Sequence, residues 1–142
     1  MTTIIVATDG SDGASRAVNV AAEFANALAC QLLIVTVADR LLGEEIRQLP
    51  RGGASVGDVL EALTGQTLRD AEERACKLGV SQIELKTCWG DAARSLIDLA
   101  TKSSAKMIVV GRRGRGQLAG LLLGSVSQKL VSLAPCTVVV VP

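Results

Sequence analysis

The sequence predicts a single doubly wound α/β domain built on a parallel sheet. Strand-like segments alternate with helix-like segments along the whole chain, which gives the order β-α-β-α-β-α-β-α-β. Most of the strand-like segments are apolar on both faces, as expected for strands that helices cover on either side. The length of 142 residues is typical of one domain with a substantial core. We find no internal repeat, linker or low-complexity segment.

The first third of the chain predicts a strand, a turn, a helix and a second strand. Thr3–Thr8 is an apolar, β-branched run typical of a buried strand. The turn Asp9–Gly13 is made of Asp, Gly and Ser, which favour turns and helix N-caps. Over Ser15–Ala29, small apolar residues recur at helical spacing and predict a helix that packs closely on a sheet. Gln31–Val37 predicts the second strand, apolar on both faces.

The middle of the chain predicts a long loop, a helix and an edge strand. Residues 38–55 show no sustained period. A helical period returns at Val56 and ends before Gly79. The predicted buried stripe of this helix is Val56, Leu60, Leu63, Thr67, Ala71, Arg74 and Leu78. Ser81–Thr87 alternates polar with apolar residues, which predicts a half-exposed strand at a sheet edge.

The last third predicts two strands and two helices. Gly90-Asp91 favours a capped helix start. Lys106–Val110 predicts the fourth strand, and the helical pattern of Ser125–Leu133 follows a glycine-rich connection. The final segment, Cys136–Val141, is a fully apolar strand. An apolar edge of this kind usually needs a cover, so we expect the strand Thr137–Val141 to pair with its counterpart in a homodimer.

The glycine-rich connection carries the most specific spacing in the chain. Its glycines follow the pattern Gly111-x2-Gly114-x9-Gly124, and Ser125 comes directly after. Glycine lets a backbone approach a ligand closely. The helix start beyond it offers free N–H groups and a positive dipole end, which suit a phosphate. The stretch is therefore either a phosphate cradle or a solvated loop rich in Gly and Arg, and the spacing alone does not decide.

Hydroxyl and guanidinium groups add to the case for a cradle. Ser125 and Ser127 bring hydroxyl donors to the helix start. Arg112, Arg113 and Arg115 are suited to pairing with phosphate. We expect one of the three arginines to touch phosphate, with Arg113 among the candidate binding residues; the alternative is that all three belong to a solvated loop.

Three candidate residues fall at the carboxyl ends of predicted strands, where ligands bind in open α/β sheets. Asp9 follows the first strand, Val37 ends the second and Gly111 follows the fourth. If the first and fourth strands are neighbours, Asp9 and the glycine-rich connection face one crevice. Asp9 could then bind a ribose or base edge, and the Val37 backbone could meet adenine. The alternatives are a turn or capping role for Asp9 and an ordinary strand end for Val37.

The composition excludes several classes of chemistry. The chain has no histidine, which removes Ser-His-Asp and Cys-His catalysis and histidine metal ligands. A single phenylalanine and a single tryptophan provide no stacking platform for single-stranded nucleic acid, and the net charge of +1 gives no basic excess for nucleic acid in general. No apolar run is long enough to span a membrane. Since the N-terminus lacks the basic region of a signal peptide, we expect a cytoplasmic protein.

The cysteines predict neither a zinc site nor a redox motif. Cys30, Cys76, Cys88 and Cys136 are far apart and form no C-x-x-C pair. We expect them to be reduced and mostly buried. Trp89 lies at a strand end, where we expect it to cover the margin of the sheet.

Taken together, these motifs resemble the universal stress protein family over the whole chain. The resemblance rests on the opening Ile-Ile-Val-Ala-Thr-Asp-Gly-Ser, the helix start at Gly90 and the segment Ile-Val-Val-Gly-Arg-Arg-Gly. The spaced glycines followed by Ser125 are similar to the signature of the ATP-binding branch. The second strand carries Thr where many relatives carry His, and Gly90-Asp91-Ala92 lacks a common proline; neither departure touches the phosphate motif.

The resemblance implies a fold and a binding site. The fold would be an open five-stranded parallel sheet of order 3-2-1-4-5 with helices on both faces, a single nucleotide-binding domain over residues 1–142. The ligand would be ATP, ADP or AMP, often with Mg²⁺, with its adenosine end against Asp9 and Val37. The ribose and phosphates would lie along Gly111, Gly114, Gly124, Ser125, Val126 and Ser127.

The leading functional hypothesis is a stress or signalling protein that binds an adenine nucleotide and acts through an unidentified protein partner. The chain has no P-loop Lys-Ser/Thr and no evident catalytic residue or protein metal ligand. We therefore expect little or no hydrolysis. The alternatives are a slow ATPase or adenylating enzyme, and a nucleotide-free dimeric scaffold, against which the intact glycine motif argues.

Overall fold

The computed structural model describes residues 1–38, 56–112 and 123–142. Within these ranges strands and helices alternate as predicted. The elements are β1 Thr3–Ala7, α1 Asp12–Leu28, β2 Gln31–Ala38, α2 Val56–Lys77, β3 Ile83–Trp89, α3 Ala92–Ser103, β4 Met107–Gly111, α4 Ser125–Leu133 and β5 Thr137–Val141.

The five strands form one sheet in the order β3-β2-β1-β4-β5, and every neighbouring pair is parallel. β1 lies at the centre, where Val6 is in register with Ile34 of β2 on one side and with Val109 of β4 on the other. The predicted doubly wound α/β fold and the strand order 3-2-1-4-5 are confirmed. β1 and β4 are neighbours, as the proposed crevice requires.

The core consists of two layers, one on each face of the sheet. On one face Ile4 and Val6 pack with α1 and α2. On the other face Ile5 packs with Leu96 of α3 and Leu130 of α4. All five of these side chains have no solvent exposure, because adjacent residues of a strand point to opposite faces and helices cover both.

α1 lies close to the sheet because its buried face is made of small residues. Ala17, Ala21 and Ala22 are fully buried, and close approach of backbone to sheet places this helix against β1 and β4. The helix begins at Asp12, three residues before the predicted Ser15, because the Ser11 hydroxyl accepts a hydrogen bond from the Ala14 amide at 3.2 Å as an N-cap.

The predicted buried stripe of α2 is confirmed at Ala71, which is 6% exposed, but is wrong at Leu63 and Arg74 and at Leu78, which follows the helix. The long side chains of Leu63 and Leu78 are 39% and 43% exposed, and Arg74 is exposed as well. The residues that face the sheet are Thr64, Leu68, Ala71 and Ala75. Apart from Ala71, which belongs to both, the observed stripe lies one position after the predicted one, since alanine allows closer packing than the larger apolar residues at its margin.

The two outer strands of the sheet differ in character. β3 alternates half-buried with exposed residues, so the predicted edge strand is confirmed, although it extends to Trp89 rather than ending at Thr87. Trp89 is 60% exposed and does not cover the sheet margin as expected. In β5, Val138, Val139 and Val140 are all half-buried.

The prediction that the cysteines are mostly buried is wrong. Cys30 is buried, whereas Cys88 and Cys136 are half-buried and Cys76 is exposed; all are free thiols. Within residues 1–38, 56–112 and 123–142, no helix combines the length and the apolar character needed to cross a membrane.

Candidate functional site

The candidate site lies where the strand order reverses. From β1 the chain passes through α1 to β2 on one side of the sheet, while β4 pairs with the other side of β1. The carboxyl ends of β1 and β4 therefore lie side by side, with the amino end of α1 above one and the amino end of α4 following the other. In open α/β sheets this reversal leaves a crevice between neighbouring loops, which is the usual place for a ligand.

The turn after β1 holds Asp9 in a fixed geometry. The Thr8 amide donates to the Val35 carbonyl of β2 at 2.8 Å, and the Gly10 amide donates to Thr8 Oγ1 at 3.2 Å. Gly10 has a φ of 81°, a conformation that favours glycine. The Ser11 amide then donates to Asp9 Oδ1 at 2.9 Å. The predicted turn role of Asp9 is therefore present, and it holds the half-buried residue just after the carboxyl end of β1.

The end of β4 packs directly on the backbone of α1. A Cβ atom added to Gly111 would lie 3.2 Å from both the carbonyl carbon and the carbonyl oxygen of Gly13 and 3.5 Å from the Ala14 amide nitrogen. These distances leave no room for a side chain without movement of the main chain. Gly111 thus brings the first turn of α1 against the start of the connection that leads to α4. Gly13 was missed by the sequence reasoning, although the Asp-Gly-Ser-Asp-Gly run contains it.

The amino end of α4 has no side-chain cap. Gly124 is its N-cap, with extended backbone (φ −74°, ψ 170°). The first helical bond joins the Gln128 amide to the Gly124 carbonyl at 3.0 Å. The amides of Ser125, Val126 and Ser127 consequently have no acceptor within the helix, and they stand at the positive end of its dipole. An uncapped helix start is suited to an anion.

Three hydrogen bonds tie Arg112 to the start of α4 and to β5. The Arg112 amide donates to the Val141 carbonyl at 2.7 Å, and the Arg112 carbonyl accepts from the Gly124 amide at 2.8 Å. The same carbonyl accepts from the Ser127 hydroxyl at 2.8 Å. The Nε–H of Arg112 is buried and has no hydrogen-bond partner among the described residues. A charged donor left without an acceptor is unfavourable, and an anion nearby would supply one.

The carboxyl end of β2 borders the crevice on the side away from β4. Val37 is half-buried and in register with Cys88 of β3, and the Gly90 amide donates to the Ala38 carbonyl at 3.2 Å. The structure therefore brings Val37 to the same edge of the sheet as Asp9 and Gly111, one strand away from the centre.

An exposed ion pair connects the N-cap of α3 with the middle of α4. Asp91 caps α3 through a 2.9 Å bond from the Arg94 amide to Oδ2, and its Oδ1 lies 3.9 Å from Lys129 Nζ. Among the described residues, no three His, Cys, Asp or Glu side chains converge on a potential metal site. A metal ion carried by a ligand would instead rely on the ligand's own oxygen atoms.

The structure thus gathers most of the predicted site residues at one edge of the sheet. Asp9 lies in the turn before α1, and Gly111 lies against the first turn of that helix. Gly124 caps α4, Ser125, Val126 and Ser127 form its first turn, and Arg112 joins this helix start to the end of β4. Ser127 departs from expectation, because the residue is 2% exposed and its hydroxyl is already hydrogen-bonded within the protein. Arg113, Gly114 and Arg115 lie outside the described residues.

Solved structures of known proteins share this fold over nearly the whole chain. A universal stress protein in complex with cAMP aligns with a TM-score of 0.76 and 31% identity, covering 99% of this chain and 95% of that protein. A universal stress protein from Archaeoglobus fulgidus in complex with dAMP aligns with a TM-score of 0.73 and 25% identity, covering 100% and 98%.

Relatives found by sequence, like the solved structures, match this chain over nearly its whole length. Universal stress protein Rv1636 from Mycobacterium tuberculosis is 34% identical over 148 residues, covering 98% of this chain and 94% of the relative. A universal stress protein from Thermus aquaticus is 35% identical over 145 residues, covering 98% and 97%. The model of the universal stress protein family matches residues 1–142. With its strand order and these matches in agreement, the chain belongs to the universal stress protein family.

Proposed function

We propose that this protein binds an adenine nucleotide and acts in stress response or signalling through a nucleotide-dependent protein partner. The observation that carries the proposal is the uncapped amino end of α4, which Arg112 holds beside the β1–β4 crevice. Two relatives of the same fold, at 31% and 25% identity, are described in complex with cAMP and dAMP. Both ligands combine adenine with a phosphate, the pair of groups that this crevice is suited to receive.

The phosphates would bind at the start of α4. The amides of Ser125 and Val126 have no acceptor within the helix, and Gly124 has no side chain to block the approach. The guanidinium of Arg112, the residue whose carbonyl accepts from the Gly124 amide, would add a charged donor. Gly111, Arg113 and Gly114 are proposed along the ribose and phosphates on the strength of the glycine spacing and the family resemblance.

The adenosine end would lie against Asp9 and Val37. The Asp9 carboxylate is suited to accept from ribose hydroxyls or from an adenine amino group, and the turn that fixes it lies beside the end of β4. Because the chain has one phenylalanine and one tryptophan, we expect adenine to rest on aliphatic side chains. ATP with Mg²⁺ is the proposed ligand, ahead of ADP and AMP.

The proposal assigns binding rather than catalysis to the site. The sequence contains no histidine and no P-loop Lys-Ser/Thr, so the usual groups for activating water or positioning a γ-phosphate for transfer are missing. We expect any hydrolysis of ATP to be slow compared with binding and release. Cytoplasmic location likewise stays a prediction from the sequence.

We further propose a homodimer that forms through β5. This outer strand, Thr137–Val141, carries no charge and leaves three half-buried valines at the sheet edge. At the opposite edge, β3 presents exposed Glu84 and Lys86, and charges of this kind oppose strand pairing between molecules. The contrast favours β5 as the edge that pairs with a second copy.

Calorimetric titration with Mg·ATP, ADP, AMP and cAMP tests the nucleotide site. Gly124→Val should abolish binding or weaken it more than about tenfold, because its side chain would block the approach of phosphate to the helix start. The extended backbone at Gly124 accepts valine without strain. Ser132→Val, at an exposed position in the last turn of the same helix, serves as the control and should bind like the parent.

The proposal fails if nucleotide-free parent protein binds none of the four nucleotides. It also fails in its assignment of the site if Gly124→Val, shown to be folded by circular dichroism, binds as tightly as Ser132→Val.

A further inference from the structure

The two serines at the start of α4 have different surroundings. Ser125 is exposed, whereas Ser127 is 2% exposed and lies under the first turn. Ser127 Oγ is 2.8 Å from the Arg112 carbonyl oxygen and 3.1 Å from the Gly124 carbonyl oxygen. A serine hydroxyl has one proton, and both neighbours are acceptors, so that proton is used within the protein.

The bond from Ser127 closes a small network at the base of the glycine-rich connection. The Arg112 carbonyl accepts from both the Ser127 hydroxyl and the Gly124 amide, and the Arg112 amide donates to Val141 of β5. Residue 112 comes directly after β4 and residue 124 directly before α4. The two ends of the connection are thereby held together beside the sheet.

We propose that Ser127 is a positioning residue that fixes the amino end of α4 against Arg112, and that its hydroxyl is not a phosphate ligand. The bond orients the free amides of Ser125 and Val126 before any ligand arrives, which lowers the ordering cost of binding an anion there. Ser125 is the serine whose hydroxyl is accessible to a ligand. The part of the inference that concerns binding rests on the nucleotide function proposed above; the closure of the network does not.

Amide hydrogen exchange, measured without nucleotide, directly tests the hydrogen-bond network that joins Ser127 and Gly124 to the Arg112 carbonyl. In the parent, the Gly124 amide is bonded to Arg112 and should exchange slowly for a residue at a helix terminus. Ser127→Ala removes the second bond to the same carbonyl, and exchange at Gly124 should become about tenfold faster or more. Ser125→Ala should leave Gly124 exchange unchanged, and Ser127→Thr, which keeps the hydroxyl, should stay close to the parent.

Nucleotide affinity is the second measurement. We expect Ser127→Ala to weaken binding about three- to tenfold, in proportion to the hydrogen bond lost, and Ser127→Thr to recover most of it. Ser127→Ala should weaken binding by the same factor for every adenine nucleotide that places a phosphate at the helix start. The reason is that the substitution displaces the main-chain amides and does not remove a contact with one particular ligand.

The outcomes separate the two proposals. If the parent binds no nucleotide but Ser127→Ala still accelerates Gly124 exchange, the closure stands and the nucleotide function falls. If Ser127→Ala leaves Gly124 exchange at the parent rate, the positioning role is refuted, whatever the affinity shows. If Ser127→Ala does not fold, the test rests on the parent and Ser127→Thr, in which we expect slow amide exchange at Gly124. Fast exchange at Gly124 in both proteins would refute the proposed hydrogen-bond network.

Discussion

Gly111 illustrates how a single missing side chain sets the shape of the crevice. Its Cα lies against the main chain of Gly13, so that two elements far apart in sequence meet without any side chain between them. A nearby anion would encounter main-chain groups here rather than side chains. The residue is therefore needed for packing before it is needed for any ligand.

Gly111→Ala should lower the free energy of unfolding by about 1–3 kcal/mol, because the new Cβ atom would force the backbone of α1 away from β4. Urea denaturation without nucleotide measures the loss. Gly65→Ala is the matched control: its Cβ atom would lie 3.1 Å from Nη1 of Arg69, the end of a flexible, exposed side chain. Since alanine is favoured in a helix interior, Gly65→Ala should stabilise by about 0.5–1 kcal/mol. A loss at Gly65 equal to that at Gly111 would contradict the packing argument.

The thiol of Cys136 should make the stability of the folded protein depend on pH at alkaline pH. Burial raises the pKa of the Cys136 thiol above its ordinary value of 9.0, since the folded protein disfavours the thiolate. Below about pH 9 the thiol is protonated in both the folded and the unfolded state, so its contribution to the free energy of unfolding is constant there. Above this pH the thiol of the unfolded chain loses its proton first. Stability should therefore fall as the pH rises through 9 toward the higher pKa of the folded thiol.

Denaturation of the reduced protein between pH 7 and pH 10 measures this effect. Cys136→Ala should lose less stability over the interval than the parent does. Parallel pH profiles for the two proteins would show that the thiol contributes nothing to the decline.

At the scale of elements, α2 shows where hydrophobic periodicity misleads. The pattern through Leu63 and Leu78 has a helical spacing, yet the sheet is covered by the stripe through Thr64, Leu68, Ala71 and Ala75. Periodicity identifies a helix, but when leucines and alanines compete it does not identify the buried face, because close approach to a sheet favours the smaller residues.

Leu68→Ala should cost about 2–4 kcal/mol of unfolding free energy, because Leu68 is 6% exposed and packs in the core. Leu63→Ala removes the same atoms from a side chain that is 39% exposed and should cost less than about 1 kcal/mol. Chemical denaturation of the two variants compares the faces directly. A larger cost at Leu63 would restore the stripe predicted from the sequence.

Other elements were predicted closely. The bounds of α4 agree with the helical pattern of Ser125–Leu133, and each strand was found within two residues of its predicted ends, since β-branched apolar runs bounded by Gly, Asp and Pro leave few alternatives. The role of Ser127 was not accessible in this way. Whether a hydroxyl faces a ligand or a neighbouring carbonyl depends on the rotation of the helix and on the path of a chain segment fifteen residues earlier, and neither follows from local pattern.

At the scale of the whole molecule, the sheet has one charged edge and one apolar edge. Thr137→Lys places a charge at the start of β5, on an exposed residue, and should weaken a dimer formed through this strand while leaving the fold intact. Thr101→Lys introduces the same charge at an exposed position of α3 and should not affect association. Sedimentation equilibrium compares the three proteins, and a monomeric parent, or a dimer indifferent to Thr137→Lys, would refute pairing through β5.

The strand order also explains which part of the site could be anticipated. A central β1 with β4 on one side and β2 on the other places Asp9, Val37 and Gly111 at one edge whatever their side chains do, so the location of the candidate site follows from topology. The contacts that refine it, from Gly111 to Gly13 and from Ser127 to Arg112, join residues distant in sequence and required the folded coordinates.

Arg112 is hydrogen-bonded to two different elements, because its amide donates to the Val141 carbonyl of β5 and its carbonyl accepts from the Gly124 amide at the start of α4. On one side it holds the last residue of the strand proposed to pair with a second copy; on the other it holds the start of α4. A nucleotide bound at the helix start and a partner strand at the edge would therefore each meet an element that is hydrogen-bonded to Arg112. If Arg112 couples the two events, thermodynamic linkage requires that the factor by which the ligand raises the association constant of the two copies equals the factor by which association raises the affinity for the ligand. The population of dimers would then respond to the nucleotide concentration.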